Sequence, residues 1–435
     1  MGDVSGASAH SRSAAAVRSA TAAVGAIVLI SLVNPVSVSA SDGSAWNPFA
    51  TQSEKTAAQT YDRTFVREWE ANPPRGYPTV SSANIEPMKA AIKRYAEIVA
   101  DGGWKTVPDG TLQLGMTSAA VAILRERLLS SGDLRETSGY PADFDYYVER
   151  AVKRFQASNG LAPTGIVDKR TVAALNVPAS ARLRQLRTNL SRVGELARSS
   201  GKKYVLVNVP SAQIEAIEND RVISRHSGVV GQFDRQTPLL RSAIHELNFN
   251  PIWTLPPTVI SKDLIPKGRE MEKNGQSVLA KYGIDAYAGD GRKLDPKKIN
   301  WSSSTPNTLV YRQQPGKDNP LGFLKINFHN NHSVYMHDTP SESLFGRNFR
   351  AASSGCVRVQ GIEQLASWLL ASNGDWSAQR IEAIKKAGER LDVKLKKPVP
   401  VYFVYITAWA TEDGVIQFRR DLYRKDGLGE TASTY

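Results

Sequence analysis

Apolar residues recur with two different periods along the chain, and the change falls near residue 203. Before it the spacing is helical. Met88, Ile92, Tyr95 and Val99 line one face of a predicted helix over 86–99, which Pro87 opens and Gly102-Gly103 closes. Val121, Leu124 and Leu128 mark a second helix, and Val148, Val152 and Phe155 a third that stops at Asn159-Gly160. Asp168 is placed to cap a short helix carrying Val172 and Leu175. Residues 180–200 resume a helix with Leu183, Leu186, Leu190 and Val193 on one side. Its Arg182, Arg184, Arg187 and Arg192 are read as a solvated basic face. This helix is expected to pack back on residues 61–105, which would make the three-helix module at 106–178 an insertion in a helical scaffold.

After 203 the period becomes two. Residues 204–209, 213–217, 309–312, 325–328 and 399–406 read as strands, and 248–253 as an extended stretch. Residues 254–305 break the pattern with Pro- and Lys-rich helix and loop, and 362–370 is a helix. The expected fold class is α+β: a mainly-β domain at 203–425 with an inserted flap at 254–305, followed by a tail at 426–435.

The first forty residues have a different texture. Arg12 and Arg18 precede an apolar run at 22–33, which Asn34-Pro35 ends, and Val38-Ser39-Ala40 resembles a small-residue cleavage site. The run is short of the roughly 20 residues a membrane-crossing helix needs. A secretory signal at 1–40 is therefore expected, with no membrane span after cleavage, and a flexible lead-in at 41–60. The uncleaved-anchor alternative also places the rest of the chain outside the cytoplasm.

Composition sharpens this. The 435 residues carry 55 Lys and Arg against 42 Asp and Glu, a formal net charge of +13. Removing 1–40 takes away two arginines and one aspartate and leaves +12. A cationic exported protein points to an acidic polymer of the cell envelope rather than to nucleic acid. With one cysteine, Cys356, there is no internal disulfide and no Cys-rich zinc module.

Cys356 sits in Ala352-Ser353-Ser354-Gly355-Cys356-Val357-Arg358-Val359. It is either a small buried residue or a reactive thiol. Gly355 permits close backbone approach, Ser353 and Ser354 can hold a tight turn, and Arg358 adds a nearby positive charge. A helix starting near 357–362 would favour the thiolate through its dipole. A thiol nucleophile needs a base, and His337 is the candidate. It ends an alternating strand from Ser333, with Tyr335 two residues earlier on the same face as a core aromatic or an oxyanion donor. His329, His332 and His337 also raise zinc. In a regular strand, however, His329 and His337 would stand about 26 Å apart, with His332 on the other face. No metal and no cofactor is expected.

Two resemblances follow from these residues. The stretch Ala151-Val152-Lys153-Arg154-Phe155-Gln156 to Asn159-Gly160-Leu161-Ala162-Pro163-Thr164-Gly165-Ile166-Val167-Asp168 resembles a three-helix peptidoglycan-binding module, which implies contact with the wall or a spacer role. The run Tyr335-Met336-His337-Asp338-Thr339-Pro340 and Ser353-Ser354-Gly355-Cys356-Val357-Arg358, with nineteen positions from His337 to Cys356, resembles the L,D-transpeptidase catalytic domain. Many members have His before the Gly and Asn two after the Cys; Ser354 and Arg358 stand there instead. That departure resembles the larger Gram-negative subgroup, which has an inserted binding module and a substrate-capping flap. The resemblance implies Cys356 as nucleophile, His337 as proton carrier, and backbone around Gly355 with Tyr335 at the oxyanion. Arg358 would orient a stem carboxylate or brace the turn. A backbone carbonyl near 338, rather than the Asp338 carboxylate, would orient His337. The implied donor is a tetrapeptide stem. The acceptor is open among a second stem, a D-amino acid and an amine of an outer-membrane protein. A non-catalytic wall-binding protein and a zinc peptidoglycan hydrolase are the competing readings.

Overall fold

A computed structural model of the chain describes residues 77–135 and 139–429. The expected signal, the lead-in and the first part of the helical scaffold lie outside the described residues. Among the described residues, no helix is long and apolar enough to cross a membrane.

The helical half begins with α1 (Ile85–Ala100), which buries Met88, Ala91 and Tyr95. The module follows as α2 (Ala119–Ser131), α3 (Tyr146–Ser158) and α4 (Lys169–Leu175). Each of these three has a side-chain cap. Ser118, Asp145 and Asp168 accept from the N–H of Val121, Val148 and Thr171, an arrangement worth about 1 kcal/mol apiece. Val121, Leu124, Leu128, Val148, Val152 and Val172 form the module's core. Helix α5 (Ala179–Ser199) then lies against α1, sharing Met88, Val193 and Leu196 in one cluster and Ala91, Tyr95, Leu183 and Leu186 in another.

The basic face of α5 differs from the expectation. Arg184 and Arg187 are exposed, but Arg182 is 1% exposed. Its guanidinium lies 4.4 Å from the Phe418 ring and donates to Asn159 Oδ1 at 2.9 Å and Gln185 Oε1 at 3.0 Å. Arg192 pairs with Asp426 at 2.6 Å. The 426–435 segment is accordingly not wholly a tail, because Asp426 is tied to α5 and Leu428 packs into the module core.

The second half is a closed barrel. Strands β1 (Lys203–Asn208), β2 (Gln213–Glu218), β3 (Arg221–Gly231) and β4 (Leu240–Phe249) form four of its staves. Strand β5 (Trp253–Thr254) leaves the barrel and opens the inserted flap. Helices α6 (Pro257–Val259), α7 (Ile265–Lys273) and α8 (Val278–Tyr282) follow, and then strands β6 (Ile284–Tyr287) and β7 (Val310–Gln313). The barrel resumes with β8 (Leu324–Phe328) and β9 (Met336–His337). Strands β10 (Ala351–Ser353) and β11 (Val357–Val359), helices α9 (Ile362–Leu369) and α10 (Ala378–Ala387), and strand β12 (Leu391–Val404) follow. The strand order is β10-β3-β11-β9-β8-β4-β12-β1-β2, and β2 also pairs with β3, closing the ring. Closure removes the exposed edges that an open sheet leaves. A hairpin, β13 (Ala408–Ala410) and β14 (Ile416–Phe418), reaches back to the helices, where Ala408 and Phe418 join the α1–α5 cluster.

The flap is larger than the 254–305 read from the sequence. Strand β7 pairs with β5 and β6 rather than with the barrel, giving the flap its own three-stranded sheet. It also has its own core, including Trp253, Leu264, Met271, Leu279, Trp301 and Tyr311. Tyr311 and Arg312, read as strand residues of the barrel domain, therefore belong to the flap.

Candidate active site

Strand alternation builds the site. In β9 and β11, Met336, Val357 and Val359 point into the barrel core with Ile326 of β8. Successive side chains alternate faces, so Tyr335, His337, Cys356 and Arg358 share the other side. Register completes the set: β9 and β11 are parallel, with Arg358 beside His337, and Lys325 of β8 pairs with His337 from the other side. A one-residue slip in either strand would send the thiol or the imidazole into the core.

These residues line a cavity of about 290 Å³. Cys356, His337, Tyr335, Arg358, Ser353 and Ser354 come from the barrel side; Trp253 and residues 256–259 of the flap form the opposite wall. Tyr335 joins the two, because its phenol oxygen accepts from Trp253 Nε1 at 3.0 Å.

The turn before Cys356 is held by hydroxyls. Ser353 Oγ donates to the Cys356 carbonyl at 2.5 Å and accepts from Gly355 N–H at 3.1 Å. Thr237 Oγ1 donates to the Gly355 carbonyl at 2.8 Å. Gly355 has φ +118°, a conformation a side chain would strain. Since Gly355 N–H is engaged by Ser353, it is not the ready oxyanion donor expected from the sequence.

Two further expectations are corrected. Residues 357–359 form β11, and α9 begins at Ile362, the far end of the expected range, so a strand and Gly361 separate its N-terminus from Cys356. The alternating run before His337 is also shorter. Ser333 has φ 55°, and Asn330 Oδ1 accepts from His332 N–H at 3.0 Å and Val334 N–H at 3.1 Å, closing a loop there.

Electrostatics at the site follow from burial. Desolvation pushes the Cys356 thiol up to about 11, although hydrogen bonds from Tyr335 and the charges of Lys325 and Arg358 act to lower it. The same burial, with Arg358 second, drives His337 down to about 3. The resting pair is therefore neutral thiol and neutral imidazole. His337 Nδ1 lies 2.5 Å from the Asp338 carbonyl oxygen. A carbonyl only accepts, so Nδ1 carries the proton and Nε2 holds the basic lone pair. The Asp338 carboxylate turns away and accepts from Phe323 N–H at 3.0 Å.

His329 goes elsewhere. Its ring stacks on His245 at 4.1 Å, while His332 lines the catalytic cavity. Among the described residues, no three His, Cys, Asp or Glu side chains converge as a metal site.

Three neighbours escaped the sequence reading. Arg235, between β3 and β4, donates to Ser354 Oγ at 2.8 Å and pairs with Asp263 of the flap at 2.9 Å. Burial raises the Asp263 pKa despite that pair, so the contact fixes the flap's position more than it stabilises the fold. Lys325 lies 4.5 Å from the Tyr335 ring centroid. Neither Arg235 nor Asp263 has any local sequence signal, since only the flap's docking joins them. Lys325 alternates with core residues in a strand, but its closeness to His337 needs the strand order.

A barrel face that presents a thiol, an imidazole and a guanidinium to one covered cavity defines a candidate thiol acyl-transfer centre. Residues 202–401 match the family of the L,D-transpeptidase catalytic domain, and residues 117–175 that described as "Putative peptidoglycan binding domain". The first match spans just under half of the chain, with a segment similar to a peptidoglycan-binding module ahead of it. A relative from Haemophilus influenzae described as "Putative L,D-transpeptidase" is 33% identical over 223 residues, covering 51% of this chain and 44% of the relative. The chain thus spans less than half of that relative's length. Two solved L,D-transpeptidases are also similar. One from Xylanimonas cellulosilytica is 16% identical, covering 68% of this chain and 98% of that chain at a TM-score of 0.23. One from Stackebrandtia nassauensis is 13% identical, covering 69% and 96% at a TM-score of 0.25. Overlaps this loose assign no residue a role.

Proposed function

We propose that this protein is an exported cysteine acyltransferase that forms 3→3 cross-links between peptidoglycan stem peptides. The observation that carries the reading is the single cavity lined by Cys356, His337, Tyr335 and Arg358 on one barrel face, under the flap.

The chemistry starts from a neutral pair. Cys356 Sγ attacks the carbonyl that joins the third stem residue to the terminal D-alanine. The thiol proton moves to His337 Nε2 as the C–S bond forms, so no free thiolate accumulates in the apolar cavity. The Tyr335 phenol accepts from Trp253 and is hydrogen-bonded to Cys356 at rest; as the C–S bond forms, its O–H turns to the developing oxyanion. His337 then protonates the departing D-alanine amine, and the C–N bond breaks to leave a thioester on Cys356. The side-chain amine of a second stem attacks the thioester, its proton passes to His337, and the thiol is regenerated.

Arg358 matches a stem carboxylate by its planar fork of donors. The flap keeps water from the thioester and so favours amine over water as acceptor. The cationic chain suits a carboxylate-rich wall outside the cytoplasm, where residues 1–40 would deliver it.

The test is incubation of the purified protein with a disaccharide-tetrapeptide. The expected products are free D-alanine and a cross-linked dimer, both lost in Cys356→Ala. Unchanged tetrapeptide with folded wild-type protein would refute the assignment.

A further inference from the structure

A second cavity, of about 310 Å³, lies away from the thiol where the module meets the rest of the protein. Helices α1, α2, α3 and α5 each supply an arginine to it, Arg94, Arg127, Arg154 and Arg182, and Arg135 adds a fifth. Residues 413–418 of the β13–β14 hairpin close one side. The acids at the cavity are Asp133 and Asp413. Asp133 is engaged by Ser131 Oγ at 2.6 Å, and burial raises its pKa to about 6, which leaves it a carboxylate at neutral pH; five arginines against two acids still leave the cavity net positive.

Arg127 is the informative member. It is 2% exposed, its Nε donates to the Leu175 carbonyl at 2.8 Å, and its guanidinium lies 3.7 Å from the Trp104 ring centroid. Its Nη1 is buried and has no hydrogen-bond partner among the described residues. A buried donor without a partner destabilises the fold, and more so when it is charged. Folding alone gives no return for that cost; an incoming acceptor would. The volume is at the small end for ligand sites, enough for one or two residues of a peptide.

We infer that this junction is a second binding site, which takes a carboxylate of a peptidoglycan stem peptide and holds the enzyme on the wall while the thiol site works elsewhere. The choice of ligand rests on the wall-directed reading above; the anion site itself does not. It also departs from a module that binds alone, because α1 and α5 supply Arg94 and Arg182 and the hairpin closes one side. Recognition of an anionic peptide end, rather than neutral glycan, follows from the charge.

The test is retention of the full protein on purified sacculi by sedimentation. One arm keeps the stem peptides, and the other has them removed by an amidase. Wild type and Cys356→Ala should be retained alike on intact sacculi, and at least tenfold less on stripped ones. Arg127→Gln should lose retention by a similar factor. Arg127 packs in a core, so the rim pair Arg135→Glu with Arg154→Glu is the second variant, accepted only with an unchanged melting temperature. Full retention of the folded rim variant, or equal retention on stripped sacculi, would overturn the inference. Retention needs no turnover, so arginine-dependent binding by an inactive enzyme would sink the catalytic proposal alone.

Discussion

Two cavities of nearly equal size, about 290 and 310 Å³, treat charge in opposite ways. The thiol cavity suppresses it. Burial holds Cys356 protonated up to about 11 and His337 neutral down to about 3. The junction cavity gathers five arginines against two acids. Reaction and retention ask for different surroundings. A proton passed within a covered site avoids water, whereas long-lived hold on an anionic polymer needs permanent cations. The flap makes the difference, because only the thiol cavity has a separate folded layer laid over it.

The largest expected effects break the thiol side. Cys356→Ala should bring D-alanine release to background. His337→Ala should reduce turnover by roughly 10²–10⁴-fold, the usual loss when a general base is removed, with the fold retained as judged by melting temperature.

Opening the flap tests why the thiol is protonated. A group raised by burial is a thiol below its pKa and thiolate above it, so alkylation of Cys356 should accelerate with pH toward about 11. Asp263→Ala removes the carboxylate that pairs with Arg235. It should move the alkylation midpoint down toward the ordinary thiol value and raise hydrolysed over cross-linked product several-fold. A midpoint unmoved by Asp263→Ala would show that the flap is not what desolvates Cys356.

A smaller change is expected from Arg358→Lys, which keeps the charge but loses the fork. KM for the stem donor should rise roughly tenfold, about the strength of one charged hydrogen bond, with kcat little altered. An equal fall in kcat would place Arg358 in the transition state instead. The smallest effect separates the two cavities by salt. Raising ionic strength should weaken wall retention a few-fold through screening and leave the Cys356 alkylation midpoint in place.

The sequence carried the barrel strands and the Cys356–His337 pair because both leave local marks. Alternation at 204–209 and 325–328 set the strands, and Gly355-Cys356 with His337 marked the residues that share the cavity. What it hid depends on long-range pairing. Residues 309–312 alternate like a barrel strand, yet β7 joins the flap, since a period of two does not say which sheet a strand enters. The supposed helix dipole at Cys356 failed because Val357-Arg358-Val359 suits a strand, and β3 and β9 were there to pair with it. Arg182 looked solvated on a helical wheel, yet Phe418, 236 positions further on, covers it. The arginine cavity was invisible for the same reason: its members come from four helices and, with Arg135, from the segment after α2.

The most direct measurement is the intact mass of the purified protein after exposure to a carbapenem, beside Cys356→Ala and a melting curve for each. The account predicts one covalent adduct on the wild type and none on the variant, because the strained amide reports whether Cys356 and His337 act together on an acyl group. A folded wild type that stays unmodified, even with the flap loosened by Asp263→Ala, would contradict it.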